Sequence, residues 1–87
     1  LQVSLKLVGT LVDQLPDAHP LENARGTNVL QLSGEQDVSG LLRHVGLSID
    51  SEYFAMINGD HVRSDELVGT KLNDGDAVIL VPPMKGG

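Results

Sequence analysis

Cysteine is absent from the 87 residues, which excludes disulfides, zinc-thiolate centres and thiol catalysis. Any sulfur chemistry would need sulfur borrowed from another molecule. Tryptophan is absent too, and Tyr53 and Phe54 are the only aromatic residues. Neighbours on a strand point to opposite faces, so one of the two belongs to the core and the other to a partly buried surface position. Basic residues are scarce, with 6 Lys and Arg against 12 Asp and Glu and a net charge of −6. Nucleic acid and anionic membrane surfaces would be repelled by that balance, and a basic protein is the better-matched partner. The acidity is concentrated in residues 50–76, where Asp50, Glu52, Asp60, Asp65, Glu66, Asp74 and Asp76 face only Arg63 and Lys71. A solvated face that keeps a small domain soluble would carry the same pattern.

Long apolar runs are also missing. No stretch approaches the ~20 residues of a membrane span, and the N-terminal segment reads as a strand with no signal core, which points to a cytoplasmic protein. Leu1 in place of an initiator methionine points to a processed or trimmed start. The chain has no Walker-type phosphate loop, no Gly-x-Gly-x-x-Gly and no His-Glu-x-x-His, so it is expected to bind neither ATP nor another cofactor unaided. His19, His44 and His61 are scattered without metal-ligand spacing, and no metal site is expected. His61 reads as a strand residue, His44 as the polar face of a helix and His19 as loop. A pocket of the usual ligand size, ~300–1,000 Å³, would take a large share of so small a core, which argues against a self-contained enzyme.

What is present is a regular order of strands and one helix. Residues 1–7 alternate, with Leu1, Val3, Leu5 and Leu7 on one face and Gln2, Ser4 and Lys6 on the other, the mark of a half-buried strand. The connection from Gly9 to Thr27 is long and has room for about two turns of helix before Pro16. Asn28–Leu32 reads as a second strand, with Leu30 and Leu32 inward and Val29 and Gln31 outward, pairing with the first. Asp37 is placed to cap a helix whose Val38, Leu41, Leu42 and Val45 form one apolar stripe and which Gly46 ends. Gly40 inside it costs ~1 kcal/mol relative to Ala, so the helix depends on packing. Tyr53–Ile57, the turn Asn58-Gly59-Asp60 and His61–Arg63 read as a hairpin. Ser64-Asp65-Glu66-Leu67 starts a single helical turn, Leu72 returns to the core and Asn73–Asp76 turns the chain into a last strand, Ala77–Val81. Its unbroken apolarity suggests burial on both faces. The order fits an α+β class with a β-grasp arrangement: a mixed sheet of about five strands, one main helix packed across it, and the first and last strands parallel at the centre. The expected division is a body over residues 1–81 and a flexible tail over 82–87.

That tail, Pro82-Pro83-Met84-Lys85-Gly86-Gly87, follows directly on the last strand. Two prolines end the ladder and send the chain out extended. Gly86 and Gly87 carry no Cβ and would thread a narrow channel in a partner. The group presented is the terminal carboxylate of Gly87, ionised at neutral pH with a reference pKa of ~3.3–3.7. It accepts a nucleophile only after activation, for example by adenylation in a partner's ATP site. A sulfur donor would then give a thiocarboxylate and a lysine amine would give an amide. A terminal Gly-Gly is equally what a frayed end or a tag remnant looks like.

Four stretches, Asp37-Val38-x-x-Leu41-Leu42, Ile57-Asn58-Gly59, Leu72-x-Asp74-Gly75-Asp76-x-Val78 and Pro82-Pro83-x-x-Gly86-Gly87, give the chain a resemblance to the ubiquitin-like sulfur carriers of the MoaD/ThiS type, nearest to the small subunit of molybdopterin synthase. The resemblance implies a carrier and not a catalyst. Gly87 would be adenylated by an E1-like adenylyltransferase of the MoeB/ThiF type, which uses the ATP, and would receive sulfur from a donor. Pro82, Pro83, Met84, Lys85 and Gly86 would lie in the partner's channel. In the molybdopterin branch the thiocarboxylate enters the large synthase subunit and supplies sulfur for molybdenum or tungsten cofactor. The alternatives are a protein modifier conjugated through Gly87, a carrier for thiamine or tRNA thiolation, and a ubiquitin-like interaction module with an inert tail. Many molybdopterin-type members carry Phe-Ala and an Arg after the first strand, where this chain has Leu7-Val8-Gly9-Thr10-Leu11-Val12.

Overall fold

A computed structural model describes residues 1–17, 21–23, 25–33, 36–47, 53–67 and 69–82. Strand β1 (Gln2–Leu7) buries Val3, Leu5 and Leu7 and turns Gln2 and Lys6 outward, the alternation read from the sequence. It pairs antiparallel with β2 (Thr27–Gln31) and parallel with β7 (Ala77–Val81). β7 pairs on its other side with β4 (Phe54–Ile57), which forms a hairpin with β5 (Asp60–Val62). The resulting sheet has the order β2-β1-β7-β4-β5, with the parallel pair formed by the first and last strands of the chain. Helix α1 (Val38–Val45) lays Val38, Leu41, Leu42 and Val45 into the core that β1, β7 and β4 build from Leu5, Val78, Leu80 and Ala55.

Local chemistry explains where the elements begin and end. The Asp37 carboxylate accepts from the Gly40 N–H at 3.0 Å and from the Ser39 hydroxyl, capping α1. Gly46 closes the helix in the left-handed region at φ 90°, its N–H donating to the Leu42 carbonyl at 2.9 Å. In the hairpin, Asn58 (φ 54°) and Gly59 (φ 85°) both have positive φ, as a two-residue turn matched to strand twist requires. The long connection after β1 contains a 3-10 helix, Gly9–Gln14, which buries Leu11. A further turn of helix, α2 (Ser64–Leu67), buries Leu67.

The Ser39 hydroxyl, then the Gly40 N–H, holds the Asp37 carboxyl below its ordinary value of 3.8. Both bonds favour the ionised form. A carboxyl depressed in the folded state contributes stability that is present above its unfolded value and lost as pH falls through the folded one. Asp37→Ala is therefore expected to cost about 1 kcal/mol at pH 7. The melting-temperature gap to the unaltered protein should close as the pH falls below the ordinary carboxyl value.

Two expectations need correction. β7 does not bury both faces: Val78 and Leu80 are buried, Ala77 is exposed, and Ile79 and Val81 are half-covered. The helix covers one side of the sheet only, so the apolar residues on the other side lie open. Strand limits shift by a residue, with β2 starting at Thr27, β4 at Phe54 and β5 at Asp60. A second, two-stranded sheet pairs β3 (Gln36–Asp37) with β6 (Lys71–Leu72) at the entrance to α1. Ladders of two residues leave too short a pattern to read.

Candidate functional site

The residues expected to carry the chemistry are Pro82 to Gly87. Of these Pro82 is described, and Pro83, Met84, Lys85, Gly86 and Gly87 lie outside the described residues. What is on view is the base to which those residues are joined, the end of β7 and Pro82.

That base is held on both sides. The Ser4 N–H donates to the Asp76 carbonyl and the Val8 N–H to the Leu80 carbonyl, each at 2.9 Å, so β1 grips β7 over its whole length. On the far side Phe54 pairs with Val81. Pro82 is half-buried, and its ring sits beside Gly9, where a Cβ would stand 3.5 Å from the ring Cγ. Gly9 has φ +64°, a backbone setting that favours glycine and turns the chain away from β1 at the point where β7 ends.

The start of β7 is fixed by side chains. Asp76 is 8% exposed; its Oδ1 accepts from Asn58 Nδ2 at 2.8 Å and its Oδ2 from the Asn73 N–H at 2.8 Å. Asn58 Oδ1 accepts from the Ala77 N–H, and the Asn58 N–H donates to the Ala77 carbonyl, both at 2.9 Å. Asp74 accepts from the Gln2 N–H at 2.7 Å, and the Gly75 N–H donates to the Gln2 carbonyl. The hairpin turn, the Asn73–Asp76 turn and the start of β1 are thereby tied to the first residue of the strand that leads to the tail.

Beside the tail base runs an apolar strip on the open sheet face. Phe54 is 41% and Met56 38% exposed, and they pair across the ladder with the half-covered Val81 and Ile79. Of the two aromatics Tyr53 is the core residue, at 2% exposure. His61 stands opposite Met56, and its ring centroid lies 6.0 Å from that of Phe54. Lys6 flanks the strip at the level of Ile79. His44 is exposed on α1, and His19 lies outside the described residues.

Among the described acidic residues of the 50–76 segment Asp76 is buried, while Asp74, which accepts from the Gln2 N–H, Asp60 and Glu66 are exposed. Asp50 and Glu52 lie outside the described residues. Among the described residues, no three of His, Cys, Asp and Glu come together as a metal site. No helix among them is long and apolar enough to cross a membrane. Sequence reasoning missed the Asn58–Asp76 bond, which joins residues 18 apart; the Asn-Gly and Asp-Gly-Asp turns marked the places without showing that they meet.

A mixed sheet with parallel first and last strands at its middle and one helix across it defines a β-grasp, ubiquitin-like protein. The chain matches the ThiS family over residues 8–87 and belongs to it. The solved structures that share the fold include these three. SAMP1 from Haloferax volcanii superposes with a TM-score of 0.65 at 20% identity, over 99% of each chain. A putative molybdopterin converting factor, subunit 1, from Pyrococcus furiosus gives 0.63 at 17% identity, over 97% of this chain and 99% of that one. The thiamine biosynthesis protein ThiS from Geobacter metallireducens gives 0.55 at 20% identity, with the same coverage. No curated protein sequence matches the chain significantly.

Proposed function

We propose that this ThiS-family chain is a sulfur carrier whose Gly87 carboxylate is converted to a thiocarboxylate that donates sulfur in molybdopterin biosynthesis. The observation that carries the reading is the extent of the family match, which runs through Gly86 and Gly87. The firmly held base of β7 supports it, because a tail must be presented from a fixed point to enter another protein's active site. In the first step a Gly87 carboxylate oxygen attacks the α-phosphorus of ATP in an E1-like adenylyltransferase, and pyrophosphate leaves. A donor of the hydrosulfide class then attacks the acyl carbon; the C–S bond forms, the C–O bond to AMP breaks, and the thiol proton passes to solvent. The protein's part is to position the tail, and the groups that stabilise charge belong to its partners. Pro82-Pro83 and the long connection holding the 3-10 helix favour the molybdopterin branch over thiamine, with the large synthase subunit as acceptor.

The apolar strip beside the tail base is the docking face in this reading. Phe54→Ser is expected to weaken binding to the adenylyltransferase by about 10- to 100-fold, measured by calorimetry, because truncating an exposed aromatic anchor removes its contacts without touching the core. Raising the salt concentration should weaken the same binding further, because it screens the attraction between a chain of net charge −6 and a basic partner.

The test of the function is the intact mass of the protein after incubation with an adenylyltransferase, ATP and hydrosulfide. Exchange of one oxygen for one sulfur supports the carrier. No exchange with an enzyme active on its own carrier overturns it, and covalent adducts to lysines in lysate would then mark a modifier.

A further inference from the structure

The two edges of the sheet differ. β5 is three residues long and carries Asp60 and His61, and a short, charged edge resists pairing with another strand. β2 has five residues, Thr27 to Gln31, in unbroken register with β1, and contains no proline, no charge and no bulge. Leu1 and Leu32 exchange both backbone bonds, at 2.7 and 3.0 Å. Antiparallel bonding alternates by residue, so Leu30 and Asn28 also bond to β1, while Thr27, Val29 and Gln31 turn their N–H and C=O groups away from the sheet. No strand among the described residues takes them.

We infer that this edge pairs with the β2 edge of a second copy, antiparallel and centred on Val29. The outward groups are self-complementary about that residue. Val29 would face Val29 and exchange two bonds, and Thr27 would face Gln31 on each side and exchange two more. The side chains brought together are Thr27, Val29 and Gln31, all uncharged. On a chain of net charge −6 a neutral strip is where two copies approach at least cost, which favours a second copy over a charged peptide. Val29 is 63% exposed, more than Phe54 or Met56, and pairing would cover it. An open cleft of about 300 Å³, lined by Glu22, Asn23, Thr27, Asn28 and Val29, adjoins the edge. An edge of five residues spans ~17 Å, so the contact falls at the small end of interfaces and the dimer is weak and reversible. It lies at the edge of the sheet away from β4, which carries Phe54, and does not depend on the chemistry at Gly87.

Sedimentation equilibrium of the full chain from about 10 μM to about 1 mM, which brackets Kd values of a weak pair, tests this beside Val29→Lys. That substitution sets like charges opposite each other across the two-fold on an exposed position. The average mass should rise towards the dimer in the unaltered protein, and Val29→Lys should weaken association at least about tenfold at an unchanged melting temperature. Amide exchange at high concentration should slow at Thr27, Val29 and Gln31 only in the unaltered protein. A monomer mass throughout, or association and protection that survive Val29→Lys, would overturn the proposal.

Discussion

A chain ending at Gly86 is expected to fold and melt like the full protein and yet never to exchange an oxygen for sulfur. Removing Gly87 draws the carboxylate back by one residue, ~3.5 Å of extended chain. Reacting atoms must come within about 3–3.5 Å in the right orientation, and a misplacement of 1 Å already costs about a hundredfold. A retreat of a full residue should therefore abolish adenylation, leaving no mass change after incubation with enzyme, ATP and hydrosulfide. Gly87→Leu should fail as well, because its side chain would meet the walls of a channel shaped for backbone alone. The core among the described residues ends at Leu80, so neither change removes a contact seen there. Melting should move by no more than a few degrees, the range of a surface substitution in a domain this small. Full activation of the shortened chain would sink the carrier mechanism. A fall in melting of more than about 10 °C would show instead that Gly87 packs against the body.

Local patterns made much of the fold legible. β1 announced itself by alternation, α1 by its stripe and by Asp37 and Gly46 at its ends, and the hairpin by Asn58-Gly59. These signals are contained in a few consecutive residues whose own φ/ψ preferences agree with the final structure. The parallel pairing of β1 with β7 followed from the order of elements. The exposure of Ile79 and Val81 was not legible, because apolarity records what a strand can bury and not how many faces the rest of the chain is long enough to cover. For the same reason the sequence could not show that Phe54, Met56, Ile79 and Val81 form one strip. That strip exists only through the register of β4 against β7. Burial of Asn28 was missed as well: its side chain bonds to the Asn23 and Gly26 carbonyls and accepts from the Asn23 N–H, a loop closure with no periodic mark.

The largest stability loss from a single polar side chain is expected at Asp76. Its carboxylate receives two donors, Asn58 Nδ2 and the Asn73 N–H, from two different turns, at a site where the residue is 8% exposed. Bonds to a charged acceptor contribute about 1.5–3 kcal/mol each. Asn58 and Asn73 are exposed residues whose freed donors can turn to water, so the two contributions do not add in full and Asp76→Ala should cost about 2–4 kcal/mol. In a domain of this size that corresponds to a fall in melting of roughly 10–25 °C. Asp76→Asn separates charge from shape: it keeps the outline but turns an NH2 group towards one of the two donors, and should lose more than half as much. Asp74→Ala gives up one exposed bond to the Gln2 N–H and should cost about 1 kcal/mol or less. Because Asn58 also holds the Ala77 N–H and C=O, Asp76→Ala should speed amide exchange at Ala77 and Asn58 before it affects Leu5 or Leu41 in the core. The consequence for function is indirect. β7 would remain paired to β1 through Val8 and Leu80 near the tail, so a stabilising low temperature should restore activation of Gly87. Loss of activation at a temperature where the variant is fully folded would show that Asp76 acts on the tail or its partner directly, and not through the anchoring of the strand.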